Sequence, residues 1–140
     1  HEIWTLFQNT YVDVKNSHYQ TKHYQLSDIN GTQIIELDIE IDGEVQRLRG
    51  EGNGPISAML DALQLPIDVV NYEERSIGSG ANAKALALIE LQVKGTGKSA
   101  FGAGIHDNIV TSSIEAIIAC TNRLIEQGVL TTEQVVAAAV

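Results

Sequence analysis

Between Ile35 and Asp42 the chain alternates strictly. Ile35, Leu37, Ile39 and Ile41 are separated by Glu36, Asp38 and Glu40, and Asp42 follows. A period of two puts one set on the buried face of a strand and the other in water, so the acidic comb is predicted to be the solvent side of an antiparallel sheet, not a metal or acid–base cluster. Asp42-Gly43 is a favoured two-residue hairpin turn and leads into a second strand through Val45 to Arg49. An earlier strand, about Tyr24 to Ile29, is expected to pair with the first across Asn30-Gly31-Thr32. Glycines 50, 52 and 54 end this sheet, after which Ile56, Met59, Leu60 and Leu63 mark one face of a helix. Asn53 or Gly54 would cap that helix, with Pro55 in its first turn, where the missing N–H is no loss.

The same pattern then recurs. At a shift of 52 residues (35 to 87) Ile35, Leu37, Ile39 and Ile41 map onto Ala87, Ile89, Leu91 and Val93, and Gly50 and Gly52 onto Gly102 and Gly104. At a shift of 54 (56 to 110) Ile56, Leu60 and Leu63 map onto Val110, Ile114 and Ile117. The prediction is therefore an α+β domain of two pseudo-symmetric βββα units with antiparallel three-stranded sheets, each unit too small to be stable alone but able to bury a shared interior as a pair. The first unit spans about 22–65 and the second about 66–127. Ile3, Phe7 and Tyr11 predict a short helix within a leading segment, 1–18. Asp13 to His23 has no periodicity and is expected to be a linker. Thr131 with Gln134 is a capping-box pattern for a last helix over 131–139, and the domain proper covers 19–140.

Composition narrows the chemistry. At 140 residues and 44% apolar content the chain can build a real core, and its formal net charge of −9 repels phosphate backbones and anionic lipid, so neither nucleic acid nor a membrane surface is an expected partner. Ala85 to Leu91, the longest strongly apolar stretch, is far short of a membrane span, and no signal peptide is visible. A cytoplasmic, disulfide-free protein is expected, with Cys120 a buried, inert thiol among Ile117, Ile118 and Leu124. The start at His1 without a methionine is taken to mark a piece of a longer protein. The four histidines show no ligand spacing, and no nucleophile elbow, Walker or dinucleotide fingerprint is present. His106 beside Asp107 is either a base or an exposed loop histidine. What the loop at Gly52 and Gly54 offers is binding: bare backbone and helix-start N–H groups suited to a carboxylate. Ala81, Ala83, Ala85 and Ala87 leave room along one strand face for a close-packed helix or for a branched aliphatic ligand.

The stretches "GEGNGPISAMLDAL", "NYEERSIGSGANAKALALIEL" and "FGAGIHDNIVTSSIEAIIACTNR", in that order and at these intervals, resemble the C-terminal regulatory domains of 2-isopropylmalate synthases over roughly Glu2 to Arg123. The resemblance implies a fragment that does no chemistry and carries no cofactor. A separate N-terminal barrel of the same chain would use a divalent metal to condense acetyl-CoA with 2-oxoisovalerate. The regulatory domain would form a homodimer and bind L-leucine as feedback effector. The implied effector site has Gly52, Asn53, Gly54 and Ile56 as one wall, Val69, Tyr72 and Ser76 as a second, and Ala83, Ala85 and Ile105 as the remainder, with no catalytic or metal-ligating residue. Two alternatives stand beside it: an isoleucine-sensing domain of the citramalate synthase type and a purely structural dimerisation module. A small enzyme built on His106 and Asp107 is a more distant one.

Overall fold

The computed structural model describes residues 18–78 and 80–131; the helices expected over 1–18 and 131–139 fall in the remainder, apart from their end residues His18 and Thr131. Six strands and two helices follow in the order β1 (Tyr19–Ile29), β2 (Thr32–Ile41), β3 (Glu44–Gly52), α1 (Pro55–Leu63), β4 (Ile67–Ile77), β5 (Lys84–Val93), β6 (Ser99–His106) and α2 (Ile109–Glu126), with a 3₁₀ turn at Gly80–Asn82. The strands form two separate antiparallel sheets, β1-β2-β3 and β4-β5-β6, each followed by its helix. This is the α+β arrangement of two βββα units that the repeat predicts. Both tight hairpins of the first sheet turn through two consecutive positive-φ residues, Asn30-Gly31 (55° and 83°) and Asp42-Gly43 (48° and 90°), whose twist matches that of the flanking strands.

Two boundaries differ from the sequence reading. Tyr19 to His23, expected in a linker, is the first half of β1: the register slips between Thr21 and His23, so a bulge breaks the period of two and hides the strand. A bulge at the corresponding place in β4, between Val69 and Asn71, shows that the repeat extends to this irregularity. β3 also runs on past Arg49, with Gly50 opposite Ile35 and Gly52 opposite Gln33, because glycines keep the ladder without adding to the hydrophobic pattern. In the second unit Ala81 lies in the 3₁₀ turn, so the small-residue alternation enters the sheet only with β5.

One core joins both units. Ile35, Leu37 and Ile39 of β2, Ile89, Leu91 and Val93 of β5, Met59 of α1 and Ile114, Ile117 and Leu124 of α2 are all buried in it. The helices sit unusually close to their sheets. A Cβ built on Gly50 would lie 2.1 Å from the Ala58 carbonyl oxygen of α1, and one on Gly104 would lie 2.1 Å from the Ser112 oxygen of α2. The paired glycines of β3 and β6 are thus the seats on which the two helices rest. A cross-unit strap adds to this. The buried Asn122 of α2 accepts from the N–H of Tyr19 at 2.7 Å and of His18 at 3.1 Å, and donates to the Tyr19 carbonyl at 2.9 Å. The outer face of the first sheet is charged as predicted, with Asp38 held between Arg47 at 3.0 Å and His23 at 3.0 Å. No helix among the described residues is long and apolar enough to cross a membrane.

Candidate functional site

The two helices begin side by side, and a groove of about 300 Å³ opens between their first turns and β4. Gly54, Pro55, Ile56 and Ser57 form one wall, Ile109, Val110 and Ser113 of α2 the other, and Tyr72 and Glu74 of β4 the floor. The lining is mostly apolar, with a few polar groups at its ends, as small-molecule sites generally are.

The two helix starts differ electrically. In α2 the Asn108 side chain caps the helix, accepting from Val110 N–H at 2.8 Å and Thr111 N–H at 3.2 Å. In α1 the cap is Gly54, which has no side chain to offer, and Pro55 has no N–H. The N–H groups of Ile56 and Ser57 have no intrahelical partner, so the positive end of α1 is left uncapped beside the groove. A Cβ on Gly54 would meet nothing within 4 Å, and its backbone is extended (φ −168°), so the residue is small here without any need of the fold.

The opposite pole is negative. Tyr72 donates its hydroxyl to Glu74 Oε2 at 2.8 Å and touches Ser113 Oγ at 2.8 Å. Burial pushes the Tyr72 phenol up from its ordinary value of 10.0, and Glu74 adds to that through its hydrogen bond and its charge while the Ser113 bond opposes it, so the phenol is a donor at neutral pH. The first unit treats its equivalent position differently. Tyr24, opposite Leu37 as Tyr72 is opposite Ile89, bonds the Thr111 hydroxyl at 2.6 Å. Ser57, the counterpart of Thr111, is bonded instead to Asn53 Oδ1 at 3.2 Å, and the gap between it and Tyr72 stays open.

Of the ten residues singled out from the sequence, the groove brings together Gly54, Ile56 and Tyr72. Ser76 and Ala85 face each other one step beyond Glu74, and alternation puts them on the same side of the sheet as Tyr72. Asn53 stands outside the lining as the Ser57 partner, and Val69 packs against the core. The vacant Cβ position of Gly52 is filled by Ser57 at 2.5 Å, so this glycine seats α1 on its strand. Ala83 precedes β5, and Ile105 lies on the far side of the second sheet with Leu86, Leu88 and Ala103. Pro55, Ser57, Glu74, Ile109, Val110 and Ser113 were not anticipated. The 54-residue shift was a signal for two of them, since it maps Pro55 and Ile56 onto Ile109 and Val110.

The remaining candidates have structural partners. His106 Nδ1 accepts the Asn108 N–H at 3.0 Å, and Asp107, exposed, pairs with Lys84 Nζ at 2.7 Å. Lys84 holds the Asp107 carboxyl below its ordinary value. Cys120 is fully buried against the Ala100 carbonyl at 3.0 Å, and burial pushes its thiol up to about 12, which keeps it protonated and unreactive. No group of three or more histidine, cysteine, aspartate or glutamate side chains among the described residues is arranged to hold a metal ion.

The family model of the LeuA allosteric (dimerisation) domain matches residues 1–125. The chain belongs to this family. Relatives of this LeuA-type domain include the 2-isopropylmalate synthase of Azoarcus sp. (strain BH72), 43% identical over 126 residues, which covers 90% of the chain and 22% of the relative. That of Ralstonia pickettii (strain 12J) is 39% identical over 136 residues, covering 92% of the chain and 24% of the relative. That of Pseudomonas savastanoi pv. phaseolicola is 35% identical over 126 residues, covering 90% and 22%. The chain thus spans under a quarter of the length of these curated relatives.

Proposed function

We propose that the chain is the leucine-sensing regulatory domain of a 2-isopropylmalate synthase and that the groove between the two helix starts is its effector site. The observation that carries this reading is the groove's polarity. Unpaired N–H groups at the start of α1 suit a carboxylate, the Glu74 carboxylate suits an ammonium, and Pro55, Ile56, Ile109 and Val110 offer an apolar slot between them. A free branched-chain amino acid carries all three on one carbon: a carboxylate, an ammonium group and a branched apolar side chain. Leucine as that amino acid, and a catalytic domain elsewhere in the same protein, are in keeping with an allosteric-domain family whose relatives are named 2-isopropylmalate synthases.

The groove lies at the junction of the two units, its walls coming from α1 and α2. A ligand held there ties the two helix starts together and favours whichever arrangement of the units fits it. With the domain acting as a homodimer, that difference in affinity between two arrangements is the signal passed to the catalytic barrel, which condenses acetyl-CoA with 2-oxoisovalerate. The test is calorimetric titration of the 140-residue chain with leucine, isoleucine and valine. Saturable binding with leucine preferred is the expected result. Preference for isoleucine would move the domain to the citramalate synthase type, and no heat with any of the three would leave dimerisation as its role.

A further inference from the structure

The proposed site must do more than measure a side chain, because a branched aliphatic group is shared by an amino acid and by the 2-oxo acid of the same skeleton. We propose that Glu74 reads the ammonium group, so that the groove accepts 2-amino acids and excludes the corresponding 2-oxo acids. This rests on the reading of the groove as an amino-acid site.

Glu74 is the one acidic side chain lining the groove. It has no ion pair among the described residues, nor has Glu73 beside it, whereas Asp68 earlier in the strand faces Lys94. Its Oε2 is fixed by the Tyr72 hydroxyl at 2.8 Å, while Oε1 has no donor among the described residues. The strand places it well. Tyr72 and Glu74 are two residues apart in β4, paired with Ile89 and Ala87 of β5, and so share the sheet face that looks toward the helices. Glu73, between them, is paired with Leu88 on the opposite face.

An ammonium group beside Oε1 would give Glu74 the cation it lacks, while the same molecule's carboxylate meets the N–H groups of Ile56 and Ser57. A 2-oxo acid keeps the carboxylate and the side chain but puts a carbonyl oxygen where the ammonium would stand. That turns an attraction into a repulsion and sets a carbonyl oxygen against Glu74 Oε1 with no donor between them, the kind of mismatch by which polar sites reject close analogues.

Calorimetry on the 140-residue chain with leucine and with 4-methyl-2-oxopentanoate tests this, in the wild type, in Glu74→Gln and in Glu73→Gln as the opposite-face control. Leucine affinity should fall by about 10- to 100-fold in Glu74→Gln. It should be unchanged in Glu73→Gln, and the oxo acid should give no saturable binding to the wild type. Retained leucine affinity in Glu74→Gln, or equal binding of amino and oxo acid by the wild type, would overturn the role of Glu74 while leaving the groove as the effector site. Absence of leucine binding by the wild type would overturn both. The comparison of the two ligands on wild-type protein stands even where Glu74→Gln fails to fold.

Discussion

Glycines in this domain have opposite jobs, and the difference is decided by where a side chain would go. A methyl group on Gly104 runs into the backbone of α2, with the Ser112 oxygen at 2.1 Å, whereas one on Gly54 projects into open space at the groove. Gly104→Ala is expected to cost about 1–3 kcal/mol, because the helix must lift off its sheet to make room. Gly54→Val should lower stability by about 1 kcal/mol, since the extended backbone suits valine but valine is a poorer helix cap than glycine, yet it should abolish leucine binding by filling the slot. Thermal melts of both variants beside a leucine titration of the second check this pair. A melt of Gly54→Val far below wild type would mean that the position is structural after all.

At the scale of elements, the two helix–sheet units were legible in the sequence because their signals are local. Ile35 to Ile41 announces a half-buried strand, Asp42-Gly43 a turn, and Pro55 a helix start, and the repeat of all three fixes the architecture. What stayed hidden depends on partners far along the chain. The first half of β1 is obscured by its bulge at Thr21/His23 and is held to α2 by Asn122, about a hundred residues away. Glu74 and Ser113 likewise enter the groove only when β4 and α2 come together. The periodic pattern shows them as an exposed strand acid and a helical serine, and nothing local distinguishes them from others. Asn122 carries the larger mechanical load. Asn122→Ala removes three hydrogen bonds and leaves the buried Tyr19 N–H without its acceptor, for an expected loss of about 2–4 kcal/mol in denaturant unfolding. A cost within about 0.5 kcal/mol of zero, the range of ordinary surface changes, would show that β1 is held by the sheet alone.

For the molecule as a whole, two sheets and two helices share one core, so the units move as coupled bodies and a ligand at their junction acts on both. The quasi-symmetry is nevertheless broken where it matters. Tyr24 bonds Thr111 in one half, and Tyr72 turns to Glu74 and Ser113 in the other, where the groove between the two helix starts is polarised. Whether the effector sits in that groove is read out by an amide ¹H–¹⁵N correlation spectrum of the domain titrated with leucine. Saturable shifts led by the amides of Ile56, Ser57, Tyr72 and Val110 are expected. Saturable shifts confined to the far face of the second sheet, at Leu86, Leu88 and Phe101, with those four amides unmoved, would contradict that placement.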